Sequence, residues 1–201
     1  MNFDYDKTWE SLKAVLKKEL DIMGSWNAFI DLIEKQISKP YWQSLKELAL
    51  ESEQEDIREW IENLALESPL PDDIKALWIG IIRVEGDDGQ EIPTIYLVGS
   101  NNYNEDDIDW ASEPTYMPDN RYVCPTVLRE IDNIIRTDQK DYQFLDWILP
   151  IAYCALTLDE IIRIKINRGL LLGRKKILHV TVGHDSGDYL EISPLEKRQP
   201  S

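Results

Sequence analysis

The sequence predicts an α+β fold: a helical N-terminal third followed by an antiparallel sheet, about four strands from two hairpins, packed with helices. Three observations predict it. Apolar residues recur at three- and four-residue steps through the first seventy positions. After Pro71 the pattern changes to continuous apolar runs around Gly- and Asp-rich turns. Helical spacing then returns from Pro125 before a second hairpin closes the chain. The 201 residues suit one domain or a domain with a helical arm. Ser68-Pro69-Leu70-Pro71 marks the boundary between a helical segment, 1–70, and an α+β unit, 71–201, whether as two pieces or as a single compact unit.

Trp9, Leu12, Leu16 and Leu20 give a first helix one apolar face. Gly24-Ser25 interrupts the pattern, and Ser25 reads as the N-cap of a helix carrying Trp26, Phe29, Ile30, Ile33 and Ile37. Beyond Pro40, Trp42, Leu45 and Leu48 form a shorter stripe. Ser52 and Glu55 have capping-box spacing ahead of Ile57, Trp60, Ile61 and Leu64. Helices this short are marginal alone, so they must pack on one another or on the rest of the chain.

The runs 76–84 and 92–98 flank Gly86-Asp87-Asp88-Gly89 as a hairpin, with Pro93 at an edge or first strand position. Pro125 suits the first turn of a helix bearing Val127, Leu128, Ile131, Ile134 and Ile135. Helical spacing over 142–166 breaks at Pro150 and restarts at Thr157, which with Glu160 again fits a capping box. The run 177–182, the turn 184–188 and the run 189–192 form the closing hairpin. Hairpins favour antiparallel pairing over a βαβ arrangement with parallel strands.

Charge narrows the function. There are 38 Asp and Glu against 22 Lys and Arg, a net charge of −16. That argues against general binding to nucleic-acid backbones or anionic membranes, since both need positive faces. The distribution is uneven. From Arg163 onward eight basic residues face four acids, whereas 51–73 holds nine acids against Arg58 alone. The first residues are acidic and no apolar signal core comes after them. The longest uncharged apolar stretch, 147–158, falls short of the roughly 20 residues a membrane span needs. Cys124 and Cys154 belong to no CxxC pair and read as reduced thiols of a cytoplasmic protein.

No motif identifies an enzyme. A GxxxxGK[ST] loop and GxSxG are absent. His179 and His184 have an odd spacing, which puts them on opposite faces of a strand unless a bulge intervenes. With Asp185 and Asp188 they compose a candidate metal set, against the plainer reading of a hairpin turn. Cys124, just before a helix start, reads as a buried thiol rather than a nucleophile.

The segment 103–119 is long for a connection and lacks a sustained period. Glu105, Asp106, Asp107, Asp109, Glu113 and Asp119 occur in it without a base, interleaved with Tyr103, Trp110, Tyr116, Met117 and two prolines. Acids raise the on-rate of a basic partner, and Trp and Tyr serve as anchors at interfaces. The alternative is a loop whose Trp110 and Tyr116 cover the sheet while the acids face solvent.

The stretch Asp109-Trp110-Ala111-Ser112-Glu113-Pro114-Thr115-Tyr116-Met117-Pro118 and the closing Val182-Gly183-His184-Asp185-Ser186-Gly187-Asp188-Tyr189-Leu190-Glu191-Ile192 together resemble bacterial immunity proteins of toxin–immunity systems. The resemblance implies a neutralising partner for a cognate toxin, often a basic nuclease, held by charge and shape complementarity. It assigns no residue a role.

The expectation is therefore an acidic protein-binding protein, not an enzyme, that occludes a basic toxin domain and needs no cofactor. Its binding residues would be Tyr103, Glu105, Asp106, Asp107, Asp109, Trp110, Glu113, Tyr116 and Asp119, helped by Asp87 and Asp88. Two other readings remain: a metal-assisted hydrolase on His179, His184, Asp185 and Asp188, and a scaffold whose N-terminal helices dock a partner or dimerise.

Overall fold

Helices come first, each set by a cap and a stripe. The computed structural model describes residues 3–86, 89–185 and 187–197. In α1 (Tyr5–Leu16) Asp4 accepts the Lys7 N–H at 3.0 Å and Leu12 and Val15 turn inward. The second helix, α2 (Ile22–Glu34), begins earlier than expected. Its cap is Asp21, which accepts the Gly24 N–H at 2.6 Å, so Gly24 and Ser25 lie inside the helix. α3 (Trp42–Lys46) is a single turn, and α4 (Leu50–Glu67) starts before Ser52, whose hydroxyl donates to the Ala49 carbonyl instead of capping.

Two long strands come next, β1 (Ala76–Glu85) and β2 (Glu91–Ser100), paired antiparallel from end to end. The chain then forms a 3-10 turn (Ile108–Ser112), a short β3 (Tyr122–Val123) and α5 (Thr126–Ile135). α6 (Tyr142–Glu160) runs through Pro150 and Thr157 without the expected break, and a π-helical turn (Ile161–Lys165) continues it. Its second half is buried on every side, as befits the helix at the centre of the core. The Thr157–Glu160 spacing is not a cap of its own helix. The buried Glu160 carboxylate accepts the Ile22 N–H at 2.7 Å and so satisfies the start of α2. α7 (Arg168–Leu172), β4 (Ile177–His184), β5 (Tyr189–Glu191) and β6 (Leu195–Glu196) complete the described elements.

The fold is α+β, with both hairpins formed, but the sheet is mixed rather than wholly antiparallel. Strand order is β3-β2-β1-β4-β5, with β6 also on β4, and β1 pairs β4 in parallel. The reason is the helical excursion between the hairpins, which is long enough for the crossover that parallel neighbours require. One continuous core joins Trp26, Phe29 and Ile61 of the first helices to Leu145 and Tyr153 of α6 and to the inner strand face. Leu77, Ile79 and Ile81, Ile95 and Leu97, and Val180 and Val182 supply that face. The apolar stripes of α1, α2 and α4 thus face the chain's own core. Among the described residues, no helix is long and apolar enough to cross a membrane.

Candidate functional site on the outer sheet face

Because strand side chains alternate, residues not facing the helices stand on the other side of the sheet. Ala76 and Trp78 of β1 and Val98 of β2 lie there, and segment 103–119 folds over them. Trp110 drops into this second cluster and is 5% exposed. Tyr116 is 6% exposed; its backbone exchanges hydrogen bonds of 2.9 Å with Gly99, and its hydroxyl donates to the Ser68 carbonyl at 2.6 Å. Half-buried Tyr103 stacks on His179 at 3.9 Å between ring centroids and donates to the Glu191 carboxylate. Burial raises the Glu191 carboxyl above its ordinary range. Asp107 accepts the Asp109 N–H at 3.0 Å, fixing the 3-10 turn that carries Trp110.

Trp110 and Tyr116 are therefore not rings offered to a partner. Trp110 covers apolar surface on the outer face and Tyr116 packs into the main core, and together they hold the loop in place. The carboxylates behave differently. Glu105, Asp106, Asp107, Asp109, Glu113 and Asp119 are all exposed. Among the described residues none of the six makes an ion pair, whereas Arg58, Arg83, Lys39 and Lys46 each hold two or more carboxylates elsewhere. Asp87 and Asp88 lie outside the described residues.

The loop meets α4 at its far end. The Trp60 indole N–H donates to the Asn120 carbonyl at 3.2 Å, and Asp56, Glu59 and Glu67 line a groove of about 330 Å3 there. The two acid-rich stretches, far apart in the chain, are neighbours in space.

The four residues of the metal reading do not converge. His179 is on the outer face under Tyr103, and burial lowers its imidazole pKa despite the carboxylates of Glu105 and Glu196. His184 points to the helical side, where its Nε2–H donates to the Trp147 carbonyl at 2.8 Å. Asp185 accepts from the Tyr96 hydroxyl at 2.7 Å, and Asp188 from the Trp147 indole at 2.9 Å. Among the described residues, no three His, Cys, Asp or Glu side chains are grouped to hold a metal ion. Cys124 is exposed rather than buried, with its sulfur 3.1 Å from the Thr94 hydroxyl, whereas Cys154 is buried and burial pushes its thiol up.

Comparisons with protein-family models, with curated proteins and with solved structures give no match.

Beside the loop the outer face stays open as a cleft of about 440 Å3 that the sequence pattern did not reveal. Its floor is Trp78 and Tyr96, its walls Ile108, Asp109 and Met117 on one side and Asp185 on the other. Two glycines make the floor. A β-carbon on Gly80 would sit 2.1 Å from the Tyr96 ring, and one on Gly183 2.5 Å from Trp78. Gly80 and Gly183 are register partners in β1 and β4, so both rings lie flat on the backbone. The Trp78 indole donates to the Tyr96 hydroxyl at 3.1 Å, and that hydroxyl in turn donates to Asp185. A glycine inside each apolar run was the available signal, since mid-strand glycine marks a close approach.

Proposed function

We propose that this chain is a cytoplasmic binding protein that neutralises a basic protein partner by occlusion, as immunity proteins do with toxins. One observation carries the reading: six exposed carboxylates, without ion pairs among the described residues, stand on a loop pinned by Tyr103, Trp110 and Tyr116. A loop fixed in advance gives up little freedom on binding, which lowers the cost of association. An unneutralised field steers a cationic partner and suppresses acidic ones. The acidic groove on α4 extends that field.

The first partner to try is the product of the neighbouring reading frame if that product is a basic protein. Asp106→Lys with Glu113→Lys should slow association about tenfold at low salt and flatten its salt dependence. Cells expressing that product should grow only when this chain is co-expressed. An association rate indifferent to salt and to both substitutions, with no growth protection, would overturn the proposal.

A further inference from the structure

We infer that the aromatic cleft is the pocket in which the partner's arginine side chain is seated. The inference deepens, and rests on, the reading of this chain as a binder of a basic protein. Three features of the cleft point to that group.

The first is ring surface that solvent can reach. The Tyr122 ring is 50% exposed, beside the Met117 thioether side chain at 55%, on a face whose other rings are mostly covered. Tyr96 and Tyr122 have their centroids 5.7 Å apart at 43°, forming an angled wall. Planar guanidinium groups stack on such faces while their methylene stem covers apolar atoms. Arg121, which also lines the cleft, shows the stacking within the chain itself: its guanidinium lies 4.9 Å from the Tyr122 centroid and donates to the Pro118 carbonyl, and the Tyr96 face of the angled wall is the one left to an incoming guanidinium.

The second is charge. Asp109 and Asp185 line the cleft against the one cation Arg121, both carboxylates exposed and, among the described residues, without an ion pair, so the lining keeps a negative excess. Asp185 is held in place by the Tyr96 hydroxyl, leaving its other acceptor positions open to a forked donor. The third is continuity. Asp109 also lines the acidic groove of about 790 Å3 along the loop, so a cation drawn in by the loop meets the cleft next.

The floor supplies a reporter, because the Trp78 indole N–H is linked through the Tyr96 hydroxyl to Asp185. The experiment titrates the full, isotopically labelled chain with an acetylated and amidated Gly-Arg-Gly peptide and tracks the Trp78 indole resonance. A second titration replaces arginine by citrulline, its neutral isostere. The arginine peptide should give a saturable shift, and the citrulline peptide should bind about tenfold more weakly. Tyr122→Leu, at an exposed edge position, and Asp185→Asn, which keeps an acceptor for Tyr96, should each reproduce that loss.

No saturable shift, or equal binding of the citrulline peptide, would overturn the inference. If the peptide fails while the protein partner still associates in a salt-steered way, only the cleft assignment falls. If the peptide binds but no basic protein partner does, the proposed function falls and the cleft stands as an arginine site.

Discussion

Two acid-rich segments, 51–73 and 105–119, put their charge to different uses. On α4 much of it is consumed within the fold. Glu55 and Glu62 flank Arg58 in ion pairs, Glu53 accepts the Thr126 N–H at 2.8 Å and so caps α5, and Glu62 accepts the Asn167 N–H at 2.8 Å. On the loop the carboxylates engage no cation among the described residues. What holds the loop is aromatic: Trp110 in the outer cluster, Tyr116 against Gly99 and Tyr103 over His179. Acidity alone thus says little about function. The informative quantity is acidity left over once the fold has satisfied its own cations and helix ends.

The contrast can be broken or sharpened by substitution. The largest effect is expected where carboxylates are fully committed. Asp132 takes hydrogen bonds from Arg83 at 2.8 Å, Arg136 at 2.6 Å and Tyr142 at 2.9 Å. Asp132→Ala leaves Arg83 with Asp146 as its remaining carboxylate and removes the ion-pair partner of Arg136, so it should cost about 3 kcal/mol in urea unfolding. Burial alone would raise the Asp132 carboxyl, yet Arg83 and Arg136 hold it below its ordinary range; Asp138 is held low against burial by Lys39 and Tyr41. Their stabilisation is complete above about pH 4 and is lost as pH falls through the depressed values. The steepening of stability loss below that pH should soften in Asp132→Asn and persist when Asp106 and Glu113 are neutralised.

Next comes the pin. Trp110→Ala should cost about 2–3 kcal/mol, less than a central core tryptophan because its small cluster opens to water. Limited proteolysis should then cut within 103–119 while β1 and β2 stay protected. Glu53→Ala should cost about 1 kcal/mol, the value of a lost helix cap, read as faster amide exchange at the start of α5. Last, Asp106→Lys with Glu113→Lys should move stability by less than about 0.5 kcal/mol, since neither residue supports the fold. A larger loss would mean that the loop acids are structural after all, and the distinction between the two segments would disappear.

Much of the fold was legible because helix and strand periods are properties of a few consecutive residues. Leu12, Trp26, Ile57 and Ile131 were placed correctly on inward stripes, and both hairpins formed where Gly and Asp cluster. Capping motifs misled at Ser25, Ser52 and Thr157 because a local spacing does not fix where a helix begins: all three lie inside helices that start at Ile22, Leu50 and Tyr142, and Glu160 reaches α2 from 138 residues away. The parallel β1–β4 pair was missed for the same reason, being made by a distant crossover. On the loop, the exposure of the acids was legible, since both readings of the segment leave them facing outward. Trp110 and Tyr116 were expected to anchor a partner but are buried within the chain, and the cleft built on Gly80 and Gly183 went unseen.

By itself, the sequence determined the excess of negative charge, where it is concentrated, and the order of helices and hairpins. These are set by composition and local period. Only the tertiary structure decided which carboxylates are neutralised, which rings are covered and which glycines lie beneath them. Lys39 meets Asp138 across 99 residues and Tyr103 meets Glu191 across 88. Neutralisation and burial depend on groups brought together through space, and no window of neighbouring residues contains them.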